Sequence, residues 1–280
     1  MRFPRRSART TDTYLAEADE VMQNVSRTFS VASRLLPATV RRDVTLLYLV
    51  LRTLDDLVDE QNPEAAAAVA AVETWLVTGE PTTRETIILD DLSNRHSLPR
   101  PAVVAFLQGM RDDLEVPNIQ TEGDLDVYCY RVAGAVGEMM ASILGVWNDQ
   151  AWNAARALGN AMQRTNILRD VDEDLANGRV YLARDTLERF GITDLATQDR
   201  TELYRDQIAR ADTLYVQGMA GIPMLIHGGR SVAAAGAMYR EILREIERGG
   251  YGARRERSVV SRHRKALLVG RAFARPGRWS

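Results

Sequence analysis

Between Ala38 and Glu60, apolar side chains recur at Val40, Val44, Leu47, Leu51, Leu54 and Val58, in alternating steps of four and three. That is the stripe an α-helix buries along one face, because residues three and four apart stack over one another. The alanine-rich stretch 64–77 and the segments 99–115, 123–147, 150–177, 199–217, 223–248 and 258–272 read the same way, and strand signals are scarce. Pro63, Gly79, Pro81, Pro99, Pro117, Gly178 and Gly249 punctuate them. No internal repeat or low-complexity linker divides the chain, so the sequence predicts one all-α domain over residues 1–280, long enough for a substantial core.

Composition removes several kinds of chemistry. The 36 basic and 38 acidic residues nearly cancel, which argues against a nucleic-acid partner needing a strong positive field. Cys129 is the single cysteine, and His96, His227 and His263 lie far apart, so neither a disulfide nor zinc-ligand spacing is present. There is no Walker-type phosphate loop and no glycine-rich dinucleotide loop, so any phosphate chemistry must use carboxylates and metal. The basic start lacks an apolar core after it, and no run approaches the ~18 apolar residues of a membrane span. The expectation is a cytoplasmic protein, a monomer or homodimer, with peripheral membrane contact left open. A basic tail bears on that contact. From Gly252 onward it carries eight arginines and Lys265 against one acid, Glu256, which suits either a solvated surface, diphosphate capture or an anionic membrane.

Two acidic clusters stand out. In L-R-T-L-D-D-L-V-D-E, residues 51–60, helical spacing lines up Tyr48, Arg52, Asp55 and Asp59 beside the apolar stripe. In Q-R-T-N-I-L-R-D-V-D-E-D, residues 163–174, Gln163, Asn166, Asp170 and Asp174 form a second row, while Asp172 and Glu173 point elsewhere. Either cluster alone is compatible with a solvated helix end. Two together suggest halves of one cavity, since Mg²⁺ takes few protein oxygens and completes its shell with water and substrate phosphates. Between them, Y-C-Y-R-V-A-G-A-V-G-E-M-M at 128–140 places Tyr130, Gly134, Gly137 and Ala141 on one helical face, suited to tight helix packing or to a cavity wall.

These segments, with S-R-T-F-S-V-A-S-R-L-L-P at 26–37 and M-Y-R-E-I-L-R-E-I-E-R-G-G-Y at 238–251, resemble the squalene/phytoene synthase family in family order. The resemblance implies the all-α isoprenoid synthase type I fold, with two aspartate-rich helices facing across a central cavity. It implies that Asp55, Asp59, Asn166, Asp170 and Asp174 hold Mg²⁺, with Mn²⁺ as an alternative ion. Ser26, Arg27, Arg52, Gln163, Asn166, Arg169, Tyr239 and Arg257 match diphosphate-pocket positions, and Tyr130, a catalytic candidate with the four aspartates, matches the tyrosine of the bacterial enzymes and would orient the diphosphate or manage a proton. The implied reaction is head-to-head condensation of two C15 or C20 prenyl diphosphates through a cyclopropylcarbinyl diphosphate, with phytoene-type output favoured and NADPH use open. Four residues depart from the family pattern. Arg164 and Asp172 stand in the second motif, Ala183 follows Tyr181-Leu182, and Arg131 replaces the tyrosine of eukaryotic squalene synthases. A terpene synthase cyclising one prenyl diphosphate and a non-catalytic assembly factor of the same fold are the competing readings.

Overall fold

The structure, a computed structural model, describes residues 11–25, 27–254 and 257–274. Its helices in chain order are α1 (Leu15–Val25), α2 (Arg27–Arg34), α3 (Ala38–Asp59), α4 (Ala65–Thr78), α5 (Arg84–His96), α6 (Arg100–Asp113), α7 (Glu122–Cys129), α8 (Ala135–Leu144), α9 (Gln150–Ala176), α10 (Arg184–Arg189), α11 (Thr201–Ala220), α12 (Gly229–Arg248) and α13 (Arg262–Ala274). Among the described residues there is no strand beyond an isolated bridge between Val146 and Leu225.

The apolar stripe of α3 is buried as its spacing requires, with Leu47, Leu54 and Val58 at 1% exposure or less. Each such leucine contributes about 2 kcal/mol by leaving water. This helix belongs to an apolar cluster with α4, α5, α6 and α8, while α7, α9, α11, α12 and α13 build a second. Val132 and Val232 pack against both clusters. Five helices close a ring: α3 packs on α8, α8 on α9, α9 on α12, α12 on α2, and α2 on α3. All five contribute side chains to the cavity they enclose.

The continuous helix expected over 123–147 is interrupted. Tyr130–Gly134 form a π-helical turn between α7 and α8, with the Ala135 N–H donating to the Tyr130 carbonyl. A π turn inserts one extra residue, so the faces before and after it no longer coincide. Two glycines beside the turn, on α8 and α9, are set by close approach. A Cβ on Gly159 would lie 2.3 Å from the Ala133 carbonyl oxygen, and one on Gly137 would lie 2.4 Å from that of Ala155. Helix backbones can touch there only because the side chains are missing.

Candidate active site

The ring encloses a cavity of about 1220 Å³. At one end its wall is polar. α3 supplies Tyr48, Arg52, Asp55 and Asp59, and α9 supplies Gln163, Asn166, Arg169, Asp170 and Asp174. The rest of the lining is largely apolar, with Leu36, Phe106, Met140, Leu144, Ala154 and Val232 among it. Both rows expected from spacing therefore border one space. Tyr239 and Arg257 line it as well, whereas Ser26 and the Arg27 side chain lie outside the described residues.

The carboxylates are held by arginines. Arg52 Nη1 lies 2.9 Å from Asp55 Oδ2, and its Nη2 pairs with Asp56. Asp170 is paired with Arg169, and Arg257 Nε lies 3.0 Å from its Oδ1. Arg179 Nη1 stands 3.9 Å from Asp59. Burial, followed by the charge of Asp59, pushes the Asp55 carboxyl up to about 7. Burial, followed by Asp170 and Glu173, does the same to Asp174. Acids raised this way are short of countercharge, which is the condition a cation relieves.

Two orphaned atoms point the same way. Asn166 Oδ1 and Arg52 Nε are buried without a hydrogen-bond partner. An unpaired buried acceptor costs about 1–3 kcal/mol, so a ligand that satisfies it gains that much. Among the described residues no three carboxyl, imidazole or thiol groups converge as a self-contained metal site. The donor set, carboxylates from two helices and one amide oxygen, thus fits a hard ion that shares its shell with substrate oxygens and water.

Sequence spacing missed part of the wall. Tyr130 is not among the lining residues; its hydroxyl donates to Glu138 Oε2 at 3.2 Å, and Arg156 sits 4.8 Å over its ring. The π turn is the reason, because it separates Tyr130 and Gly134 from the face of Gly137 and Ala141, which do line the cavity. Tyr128, two residues earlier, takes the wall position. Its hydroxyl donates to both Asp113 oxygens at 3.1 Å, and Tyr181 donates to Oδ1 at 3.2 Å. Burial pushes the Asp113 carboxyl up to about 6 despite those donors. Glu173, expected to point elsewhere, reaches the cavity rim and stands 3.7 Å from Arg257. Helical spacing within one segment carries no signal for Asp113 or Tyr181, which arrive from α6 and from the loop after α9.

The four departures from the family pattern all lie off the cavity lining. Arg131 pairs with Asp112 at 2.6 Å, and Asp172 pairs with the buried Arg200. Ala183 is buried at the N-terminus of α10. Arg164, 3% exposed, donates to Gln207 Oε1 at 2.9 Å, Glu122 Oε2 at 2.9 Å and Asp126 Oδ1 at 2.7 Å.

The squalene/phytoene synthase family model matches residues 22–264. The chain belongs to the squalene/phytoene synthase family. The chain is 36% identical to a phytoene synthase of Thermus thermophilus, over 90% of each protein. Over 92% of each it is 33% identical to the 15-cis-phytoene synthase of Synechococcus elongatus. A dehydrosqualene synthase crystallised with a ligand superposes with a TM-score of 0.86 at 27% identity, covering 96% of this chain and 98% of that one. The squalene synthase HpnC from Alicyclobacillus acidocaldarius gives 0.77, also at 27% identity, covering 86% and 96%. This family member therefore has the all-α isoprenoid synthase fold, as the motif order implied.

Proposed function

We propose that this chain is a Mg²⁺-dependent prenyl transferase that joins two prenyl diphosphates head-to-head and releases diphosphate, acting as one domain. The observation that carries the reading is the shared cavity: two carboxylate rows at one end, an apolar lining over the rest. Two C20 chains are the favoured substrates, in line with the phytoene synthases among its relatives, and two C15 chains are the second reading, in line with the dehydrosqualene and squalene synthases among its structural neighbours.

In this reading Asp55, Asp59, Asn166, Asp170 and Asp174 hold the metal, which supplies positive charge to the departing diphosphate. Arg52, Arg169, Arg179 and Arg257, which pair with these carboxylates, would meet the diphosphate oxygens at the same end. Gln163 and the Tyr239 hydroxyl supply further polar contacts at that end. The allylic cation left behind is attacked by the 2,3 double bond of the second chain. Closing the cyclopropane releases a proton, and Tyr128, seated on Asp113, is the lining group placed to manage it. The apolar wall keeps water from the cation.

Purified protein is incubated with Mg²⁺ and C10, C15 or C20 diphosphate, with and without NADPH, and the hydrocarbon is identified. A C40 or C30 product is expected. A C15 or C20 cyclic product would favour a single-substrate cyclase, and unconsumed substrate in every tube would favour a scaffold.

A further inference from the structure

Arg164 sits one residue from Gln163 and two from Asn166, yet it is buried and takes no part in the cavity lining. Its guanidinium donates to Glu122 Oε2 and Asp126 Oδ1 on α7 and to Gln207 Oε1 on α11. Glu122 Oε1 in turn accepts from the Thr186 hydroxyl of α10 at 2.7 Å and from Gln207 Nε2 at 2.6 Å. Four helices thus meet at one ion pair. Two of them carry or adjoin the tyrosines seated on Asp113. Tyr128 lies on α7 two residues after Asp126, and Tyr181 lies five residues before Thr186. Their rings stack with centroids 5.0 Å apart. The start of α10 is also pinned on the approach to α7, where the Arg184 N–H donates to the Ile119 carbonyl at 3.1 Å and the Asp185 N–H to that of Gln120 at 3.0 Å.

We propose that Arg164 is a positioning residue that holds the Tyr128, Asp113 and Tyr181 cluster in register with the carboxylate row of α9. The inference rests on the prenyl transferase reading, in which that row holds the metal and Tyr128 manages the proton. The π turn separates α7 from α8, so the close backbone contact that seats α8 on α9 does not by itself orient α7. Arg164 supplies that orientation. A guanidinium donates in a fixed planar fork, so acceptors on two neighbouring helices restrain sliding as well as rotation. Misplacing a reacting group by about 1 Å costs on the order of a hundredfold in rate. A loosened α7 is therefore felt at Tyr128 while the metal row keeps its own geometry.

The test is a double-mutant cycle on kcat, with Mg²⁺ and whichever of the C15 and C20 diphosphates turns over faster, run below the melting temperature of every variant. Arg164→Leu is expected to lower kcat about tenfold with KM nearly unchanged. Arg164→Lys, which keeps the charge without the fork, is expected to lower it less. Tyr128→Phe, costing about a hundredfold in the wild-type background, is expected to cost about tenfold or less once residue 164 is changed to leucine. A residue that only stabilises the fold would leave the kcat of a folded variant at the wild-type value and the cost of Tyr128→Phe the same in both backgrounds, and either result would overturn the proposal. Arg164→Lys carries the same cycle if the leucine variant does not fold. Failure of the enzymatic reading is distinguishable, because no turnover by wild type, or a silent Tyr128→Phe in it, would remove that reading and the proposal together.

Discussion

At the residue scale, the tyrosines of the π-turn segment separate by which wall they face. Tyr128→Phe removes a hydroxyl that borders the cavity and is expected to lower kcat about a hundredfold while moving KM little. Tyr130→Phe removes one bound to Glu138 outside the lining, so kcat is expected to hold within about twofold and stability to fall by ~1 kcal/mol. Steady-state kinetics on both variants checks the pair. Asp113 gives a pH signature. Its folded carboxyl sits at about 6, raised by burial, against ~4 in an unfolded chain. The folded state therefore binds the proton more tightly, and the stability this group contributes below pH ~4 is lost as pH rises through 6, on the order of 3 kcal/mol. Urea melts of wild type and Asp113→Asn from pH 4 to 7 are expected to show the variant gaining on wild type by that amount. A constant difference would contradict the placement.

At the element scale, α9 is set by what lies on its far side. Arg164 fastens it to α7 and α11 through Glu122, Asp126 and Gln207, and Arg200 fastens it through Asp172. The family's usual leucine at position 164 would leave the half-buried Glu122 with Arg210, 3.9 Å away, as its remaining cation. Arg164→Leu is expected to cost about 3 kcal/mol in denaturant unfolding, and adding Glu122→Gln to recover part of it. Full additivity of the two changes would show that they do not share a contact. Most of these helices were legible from the sequence. The 3.6 period marked α3 and α9 almost to their ends, because each buries a regular stripe along most of its length. The short pair α1 and α2, and α5, gave weaker patterns. The break at Tyr130 could not be read from period alone, because a π turn keeps each half helical and only rotates one against the other.

At the scale of the whole molecule, the site is a juxtaposition of rows that spacing had already drawn. Sequence showed that Asp55 and Asp59 share one helical face, as do Asp170 and Asp174. That the two faces border one cavity depends on the ring of five helices, which is a long-range property. Asp113 and Tyr181 were invisible for the same reason, since they meet Tyr128 from separate elements. In the proposed function the two rows work together across that cavity. The measurement is turnover of C20 diphosphate with Mg²⁺ by Asp55→Asn and Asp170→Asn, with the melting temperature of each. Both are expected to lose about a thousandfold in kcat while remaining folded, the Asp55 variant melting no lower than wild type because the charge on a carboxyl pushed up to about 7 is gone. Wild-type turnover in either variant would contradict the account.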